Sequence, residues 1–222
     1  MYVDIIASTL SKVEAEDFIA YCARVSNPEN QNNSKTAPKL LAYLIKNQHW
    51  SPFEMASVTM EIGTTRDISR QILRHRSFSF QEFSQRYAEA NSFGLREARL
   101  QDKKNRQNSI PLNKENPSHA TIEGHWFDQQ AEIIKRAKDV YKWALDVGIA
   151  KEQARAVLPE GSTETTLYMA GTLRSWIHYC QLRMANGTQE EHREITEACW
   201  NKLRCIYPNV VAACEEELLL YG

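Results

Sequence analysis

The stretch RHRSFSFQEFSQR, residues 74–86, constrains the fold and function of the chain more than any other part of the sequence. Basic or protonatable residues stand in a row at its start, phenylalanines alternate with serines after them, and Glu82 and Arg86 complete the pattern. A guanidinium group can bind a phosphate through two parallel hydrogen bonds, a carboxylate can orient sugar hydroxyls, and aromatic rings exclude water. The stretch therefore predicts a pocket for one small anionic ligand.

Two other interpretations of this stretch exist. A helix end in water followed by an amphipathic strand would give a similar pattern, and arginines interleaved with phenylalanines also suit base stacking on nucleic acid. The whole chain, however, has 27 Lys and Arg against 28 Asp and Glu, a net charge of −1. General binding of nucleic acid or of a membrane surface normally requires a basic excess. A local anion pocket is favoured, and no nucleic-acid partner is expected.

Length and composition fit one globular domain that spans residues 1–222. The chain is 42% hydrophobic, which allows an ordinary core. Its N-terminus has neither a basic region nor a long apolar run, so we expect a cytoplasmic protein with no membrane partner. The five cysteines form no CxxC pair and the histidines are scattered, which favours reduced core cysteines and predicts no metal site.

Hydrophobic periodicity predicts an α+β fold: a single domain with a mixed or antiparallel sheet flanked by helices. Helices are predicted at residues 15–25, from residue 38, and at residues 65–75, 121–148, 151–158, 172–185, 189–205 and 209–220. Alternating apolar residues predict strands at 56–62 and 162–169. Ser11 and Glu14 have the spacing of a capping box ahead of the first helix.

Residues 94–120 show no clean period and carry several basic side chains. We interpret them as a long irregular excursion within the domain. A loop of this length in a compact domain is usually a functional lid or a disordered segment. The sequence assigns no role to any of its residues.

The predicted helix at residues 172–185 carries basic groups on two sides. Arg183 follows Trp176 of the apolar stripe by seven residues, so its side chain should point inward. A buried arginine needs an anionic or hydrogen-bonding partner. Arg174 and His178 share one face, and Arg174 is about half a turn out of phase with Arg183. Such a helix suits an oligomer in which it is shared between two sites.

Two further segments have suitable chemistry but weaker patterns. HWSPFE, residues 49–54, lies between a helix and a strand and offers the ring of His49 and the hydroxyl of Ser51. Taken alone, it is better interpreted as a capped turn with a surface histidine. Arg155, in a short helix followed by a proline, can approach a ligand closely because alanines flank it.

The string RHRSFSFQEFSQRY resembles the RHR-x-x-S-x-x-x-x-S-x-R motif of flavin-dependent thymidylate synthases. The resemblance covers most of the chain, because ARVS at 23–26, HWSPFE at 49–54, ARAVLP at 154–159 and the helix ending at Arg183 also match in order. It implies transfer and reduction of a one-carbon unit from 5,10-methylenetetrahydrofolate to carbon 5 of dUMP, giving dTMP. FAD would be the hydride carrier and NADPH the reductant. The resemblance also implies a homotetramer whose active sites form where subunits meet.

By position, the resemblance implies two groups of ligand-binding residues. FAD binding is implied for His49, Ser51, Arg74, His75, Arg76, Glu82, Arg174 and His178. Binding of dUMP is implied for Gln71, Arg74, Glu82, Ser84, Gln85, Arg86, Arg155 and Arg183. Arg183 is implied to be the catalytic residue that activates the uracil ring.

Elementary chemistry agrees with this assignment. Carbon 5 of uracil is a weak nucleophile, and a guanidinium that keeps its proton can stabilise the negative charge that develops on an activated ring. No cysteine lies in a motif, and Ser84 has no adjacent base, so we expect it to bind phosphate rather than to act as a nucleophile. Two alternatives stay open: a flavin-dependent enzyme that methylates or hydroxymethylates another pyrimidine nucleotide, and a nucleotide- or RNA-binding module without catalysis.

Overall fold

The computed structural model describes residues 1–9 and 14–221, with side chains described up to residue 217. One sheet has four antiparallel strands in the spatial order β1 (Tyr2–Ser8), β2 (Ser57–Thr65), β6 (Glu164–Thr172) and β3 (Ser79–Glu82). A separate hairpin pairs β4 (Arg99–Gln101) with β5 (Ser109–Pro111). The helices are α1 (Ala15–Ala23), α2 (Ala37–Lys46), α3 (Arg66–Ile72), α4 (Pro117–Asp146), α5 (Lys151–Ala154), α6 (Leu173–Met184), α7 (Glu190–Ile206) and α8 (Pro208–Tyr221). The α+β prediction is confirmed, and the sheet is antiparallel.

Strands β2 and β6 form the centre of the sheet. Their register places Met60 opposite Met169 and Ile62 opposite Leu167, and all four side chains are fully buried. Buried residues alternate with more exposed ones along both strands, which is the pattern that predicts them from sequence. Both strand predictions are confirmed, and each strand extends three residues further in the C-terminal direction.

Of the two edge strands, the sequence prediction missed β1 and included β3 only in the alternative interpretation of the basic stretch. The pairing of β1 with β2 shifts in register between Ile5 and Ala7, so the apolar residues of β1 do not alternate regularly. β3 has only four residues and continues directly from the basic stretch. Within residues 74–86, the backbone therefore matches the alternative interpretation, a helix end followed by a strand.

Helix α6 packs against the sheet through the predicted apolar stripe. Leu173, Trp176, Ile177 and Cys180 are fully buried in one core with the sheet, α7 and α8. The indole N–H of Trp176 donates to the carbonyl of Val58 over 3.0 Å, which ties the helix to β2. Burial of each large apolar side chain stabilises the fold by about 1.5–3 kcal/mol. This face fixes how α6 is rotated, and hence where its basic residues lie.

All eight predicted helices are present, with shifted ends. The helix predicted at residues 65–75 is shorter, because α3 ends at Ile72 and a turn follows it. The capping-box residue Ser11 lies outside the described residues. Within the described part of the chain, no helix is both long and apolar enough to cross a membrane.

The prediction that residues 94–120 form an irregular excursion is wrong in part. It contains the β4–β5 hairpin, whose three-residue strands are too short to produce a visible period. α4 begins at Pro117 rather than at residue 121, and the side chain of Asn116 caps it by accepting from the backbone N–H of Ser118 over 3.0 Å. Arg96 also anchors the segment by an ion pair with Asp67, with an N–O distance of 2.7 Å.

Candidate active site

Two strand-to-helix junctions position half of the predicted site residues. β2 continues into α3 between Thr65 and Arg66, and β6 continues into α6 between Thr172 and Leu173, in both cases without a loop. Because β2 and β6 are antiparallel neighbours, the two helices start from opposite ends of the strand pair. Thr172 caps α6 with its side-chain oxygen, which accepts from the backbone N–H of Ser175.

The basic stretch that follows α3 lies along α6. The ring centroids of Phe78 and Trp176 are 4.9 Å apart, and those of His75 and Tyr179 are 4.8 Å apart, both with edge-on geometry. One turn further along α6, the Nε–H of Arg183 donates to Nε2 of His75 over 2.9 Å. The structure therefore brings two predicted site residues, distant in sequence, into direct contact.

His75 is held in its neutral form in this contact. Burial lowers the pKa of His75 to about 4, and the positive charges of Arg183 and Arg74 act in the same direction. A neutral imidazole accepts a hydrogen bond through one nitrogen, as the bond from Arg183 requires. The prediction that Arg183 points inward toward a hydrogen-bonding partner is confirmed, and its side chain is half-buried.

Gln71 joins the same cluster through residues of α7 and the turn before it. Its Oε1 lies 3.3 Å from Nδ1 of His192, and Nε2 of His192 lies 3.0 Å from the hydroxyl of Tyr179. Its Nε2 donates to Oε1 of Gln189 over 2.7 Å. Burial lowers the pKa of His192 to about 3, and nearby basic groups add to the effect. Three predicted residues thus share one polar cluster at the edge of the apolar core.

Ser51 and Arg174 lie in a second cluster, at the start of α6. The guanidinium of Arg174 forms an ion pair with the carboxylate of Glu54, which shares a 3₁₀ turn with Ser51. Arg174 thus contacts the turn before β2, whereas Arg183 contacts the stretch after α3. These different partners agree with the predicted placement of the two arginines on two sides of the helix.

The two predicted histidines near this turn have different surroundings. The ring of His178 packs edge-on against Trp50 with centroids 4.7 Å apart, and burial followed by the charge of Arg174 lowers the pKa of His178. His49 is exposed, and its ring lies edge-on to Tyr43 with centroids 6.1 Å apart. Because it is exposed, the His49 side chain is accessible to a ligand.

Glu82, at the end of β3, is fixed by hydroxyl groups. Its Oε1 accepts from Ser69 over 2.8 Å and from Thr165 over 3.1 Å, and it lies 3.6 Å from Nη1 of Arg66. Among the described residues, neither Nε nor Nη1 of the buried Arg66 has a hydrogen-bond partner. The carboxylate is therefore rigidly placed beside a guanidinium that retains donor capacity.

The residues after β3 form a tight turn. The backbone N–H of Arg86 donates to the hydroxyl oxygen of Ser84 over 3.4 Å, and the N–H of Tyr87 donates to the carbonyl of Ser84 over 3.1 Å. Gln85 is buried, and its Nε2 has no partner in the part of the chain that the structure describes. A buried amide with free donors suits a polar ligand, because unpaired buried polar groups are costly.

Arg86 and Arg155 meet at Glu152 on one surface. Nη2 of Arg86 lies 3.5 Å from the carboxylate of Glu152, and Nε of Arg155 donates to the carbonyl of Glu152 over 3.3 Å. The ion pair is exposed, so it contributes little energy and can be exchanged for a ligand phosphate.

Arg74 and Arg76 project into solvent on either side of His75. No carboxylate among the described residues lies within 4.0 Å of either guanidinium. Guanidinium groups, the hydroxyl of Ser51 and the ring of His49 are the kinds of group that a phosphate-bearing cofactor with a flat ring, such as FAD, requires. The residues present therefore fit the cofactor that the sequence predicts.

Two open clefts, of about 580 and 980 Å³, lie elsewhere on the chain. Arg96, Arg99 and Glu191 border both of them. None of the predicted site residues lines either cleft, so the clefts are not the predicted site. In one copy of the chain, every predicted site residue except the buried Gln85 is exposed or half-buried.

The cysteines offer no candidate nucleophile near these residues. Burial raises the pKa of the thiols of Cys180, Cys199 and Cys214, which keeps them protonated. The prediction of core cysteines holds for these three and is wrong for Cys205, which is exposed. Within residues 1–9 and 14–221, no three metal-ligating side chains come together as a metal site.

Sequence reasoning missed several residues that support the site. Glu54, the partner of Arg174, lies inside the HWSPFE segment, but its contact joins residues 120 positions apart, so no sequence pattern indicated it. No sequence pattern indicated three further residues: Tyr179, Gln189 and His192. Their contacts join residues up to 121 positions apart, and the polar groups of Tyr179 and His192 lie buried among apolar side chains.

Comparison with known proteins agrees with the motifs. The chain is 49% identical over 202 residues to the "Probable flavin-dependent thymidylate synthase" of Paramecium bursaria Chlorella virus 1, covering 90% of this chain and 91% of that one. It is 50% identical over 201 residues to the flavin-dependent thymidylate synthase of Synechocystis sp., covering 90% and 89%. The crystal structure of a UMP/dUMP methylase, PolB from Streptomyces cacaoi bound with 5-Br dUMP, matches with a TM-score of 0.80 at 27% identity, over 95% of this chain and 93% of that one. The model of the Thy1 family, thymidylate synthase complementing protein, matches residues 8–209. The chain therefore belongs to the Thy1 family of flavin-dependent thymidylate synthases.

Proposed function

We propose that this chain converts dUMP to dTMP with 5,10-methylenetetrahydrofolate as carbon donor, FAD as hydride carrier and NADPH as reductant. The observation that carries the proposal is the contact between Arg183 of α6 and His75 of the basic stretch. It joins the predicted ring-activating guanidinium to the segment that carries predicted residues for both FAD and dUMP. FAD supplies hydride chemistry when bound, and the chain supplies binding, orientation and charge.

Arg183 is the catalytic residue of this proposal. Its Nε–H is committed to His75, which leaves the N–H groups of the two terminal nitrogens for the ligand. These groups would donate to the uracil oxygen that carries negative charge when the ring is polarised toward an enolate-like form, the form in which carbon 5 is a stronger nucleophile. A guanidinium held by a neutral imidazole keeps its full positive charge for this purpose, because no carboxylate neutralises it in this contact.

The substrate residues divide by chemistry. Arg86, Arg155 and the turn at Ser84 would hold the phosphate of dUMP, with the nucleotide displacing Glu152 from Arg86. Glu82 would orient sugar hydroxyls or cofactor groups, since its carboxylate is fixed by two hydroxyl donors. The remaining residues predicted to contact dUMP are Gln71, Arg74 and Gln85.

The residues predicted to bind FAD also divide by chemistry. Arg74 and Arg76 would neutralise the pyrophosphate of FAD, and Ser51 and Arg174 would donate hydrogen bonds to it. His49 would stack on a flat ring, and His75, His178 and Glu82 complete the predicted set. The ion pair of Arg174 with Glu54 orients the guanidinium at the turn that carries Ser51.

We also propose a homotetramer whose active sites are shared between subunits. Arg74, Arg76 and Arg86 lie on open surface, and neither of the two clefts includes them. Cofactor sites normally enclose most of the ligand, so a second copy of the chain would have to supply the missing walls. Basic groups on two sides of α6 suit a helix that serves two such sites.

Three measurements on the purified protein test the function. It should be yellow with flavin absorbance, it should release tritium from dUMP labelled at carbon 5, and the product should have the mass of dTMP. UMP offered as competing acceptor separates this activity from that of an enzyme for another pyrimidine nucleotide, such as a UMP methylase. A colourless protein that binds RNA in a salt-dependent manner would instead support the non-catalytic alternative.

A further inference from the structure

A continuous chain of side-chain hydrogen bonds leads from α6 to the ion pairs of the 94–120 region. The hydroxyl of Tyr179 contacts His192, and His192 contacts Gln71. Gln71 donates to Gln189 over 2.7 Å, and Gln189 donates through Nε2 to the carboxylate of Glu191 over 2.9 Å. Every link except that between Gln189 and Glu191 joins side chains of different elements, so the order of donors and acceptors is a property of the fold.

Glu191 determines the donor-to-acceptor direction of this series of hydrogen bonds. Its carboxylate lies 3.4 Å from a guanidinium nitrogen of Arg96 and 3.2 Å from one of Arg99, and only 13% of its side chain is exposed. Although burial raises the pKa of Glu191, hydrogen bonds and the two arginine charges lower it overall. An ionised carboxylate only accepts hydrogen bonds, so the group of Gln189 that faces it must be the NH₂.

This assignment then determines the donor and the acceptor in each of the remaining hydrogen bonds. Because the NH₂ of Gln189 faces Glu191, its Oε1 faces Gln71 and accepts from the NH₂ of Gln71. The oxygen of Gln71 therefore faces Nδ1 of His192, which must carry a hydrogen. In a neutral imidazole Nε2 is then the acceptor, and the hydroxyl of Tyr179 donates to it. Burial keeps both groups in the required state, since it lowers the pKa of His192 to about 3 and raises that of Tyr179 well above its usual value.

We propose that Glu191 acts, through Gln189 and His192, as a positioning residue that fixes which end of the Gln71 amide is oxygen and which is nitrogen. The inference rests on the proposed function, in which Gln71 contacts dUMP. The Gln71 amide uses one N–H on Gln189 and one oxygen lone pair on His192. Its second N–H and its second lone pair remain for a ligand, and their positions are fixed. An imide edge such as that of a uracil ring presents alternating acceptors and donors, so the fixed order selects a matching ring edge and a flipped amide would oppose it.

The inference also gives a role to the 94–120 region. Arg96 and Arg99 reach the Gln71 amide through only Glu191 and Gln189. Arg96 is itself held by Asp67 of α3, with an N–O distance of 2.7 Å, so the anchor and Gln71 belong to one connected unit. The region therefore acts on the ligand site as an electrostatic anchor.

The test uses holoenzyme labelled with ¹⁵N in histidine. The His192 signals are assigned by their loss in His192→Gln. The wild type should show a protonated Nδ1 and an unprotonated Nε2 at His192. Glu191→Gln replaces an obligatory acceptor by an amide that can face Gln189 with either end, so His192 should become a mixture of tautomers. The KM for dUMP should rise about tenfold, the factor that corresponds to about 1.4 kcal/mol, while kcat changes less.

Glu194→Gln is the matched control, because it removes the same charge from the same helix outside the chain of hydrogen bonds. It should leave both the tautomer and the KM unchanged, and Glu191→Asp should restore the wild-type tautomer. A wild-type His192 protonated at Nε2, or an unchanged tautomer and KM in Glu191→Gln, would overturn the inference. Failure of the proposed function has a different signature, since wild-type holoenzyme would then release no tritium from dUMP whatever the tautomer.

Discussion

Arg183 of α6 donates its Nε–H to Nε2 of His75, which lies in the turn after α3, and the two helices α6 and α3 start from opposite ends of the β2–β6 strand pair. The acceptor is an imidazole whose pKa burial lowers to about 4, so the pair carries one positive charge near neutral pH. A carboxylate in the same position would neutralise the guanidinium. The neutral partner orients Arg183 and leaves its charge for the substrate.

Replacement of Arg183 should separate chemistry from cofactor binding. In Arg183→Ala, turnover should fall by about 10²–10³, the usual cost of losing one group that stabilises developing charge, while flavin absorbance stays with the protein. Single-turnover flavin oxidation in the presence of dUMP and the folate measures the step. Arg183→Lys keeps a charge but not the planar geometry and should recover little activity. Near-normal turnover in Arg183→Ala would refute the role.

Arg174 should act on the cofactor instead. Arg174→Ala removes the guanidinium that Glu54 orients and should weaken FAD binding about tenfold or more, measured by flavin retained after gel filtration. Glu54→Gln keeps the size of the side chain and should have a smaller effect. Mixed tetramers of Arg174→Ala and Arg183→Ala subunits should regain part of the activity if different subunits supply the two arginines. Persistent inactivity of the mixture would argue against shared sites.

Stability should depend on pH through His75. Its folded pKa is about 4 and that of a free histidine is about 6.5, so the unfolded chain binds more protons between these values. The contribution of the neutral ring is full above about pH 6.5 and is lost as the pH falls toward 4. Urea midpoints at about pH 7.5 and about pH 5 measure the loss, which should be smaller in His75→Gln, a variant that keeps an acceptor without titrating. His125→Gln, at an exposed position on α4, should behave like the wild type.

Gly171 should tolerate no side chain, because a Cβ there would lie 2.4 Å from Cδ1 of Phe78. Phe78 packs on Trp176, so the ring cannot move without disturbing the stretch that carries His75. Gly171→Ala should lower the free energy of unfolding by about 1–3 kcal/mol. Gly124→Ala, where nothing lies within 4 Å of the added carbon, should instead raise it by about 1 kcal/mol. Equal effects of the two substitutions in thermal denaturation would contradict this.

The sequence predicts the elements whose burial follows a regular period. Strands β2 and β6 and the stripe of α6 are recognisable because apolar residues recur at every second position or every third and fourth. The bulged β1 and the β4–β5 hairpin lack such a period and were missed, and β3, with only four residues, entered only through an alternative interpretation.

For the site, the motif predicts which residues are functional but not how they contact each other. The pair of Arg183 with His75 and that of Arg174 with Glu54 span 108 and 120 positions, and both depend on the packing of α6. Gln189 is an ordinary turn residue in the sequence. Its importance follows only from three-dimensional proximity to Gln71.

The direct passage from β6 into α6 makes this part of the chain intolerant of insertions and deletions. The last strand residue is locked by its pairing with β2, so one added residue at Thr172 would rotate everything after it by about 100°. Arg183 would then leave His75, and the buried stripe of α6 would turn toward solvent. Insertions and deletions should therefore be tolerated in the surface turns of this protein, while the number of residues between β6 and Arg183 stays constant.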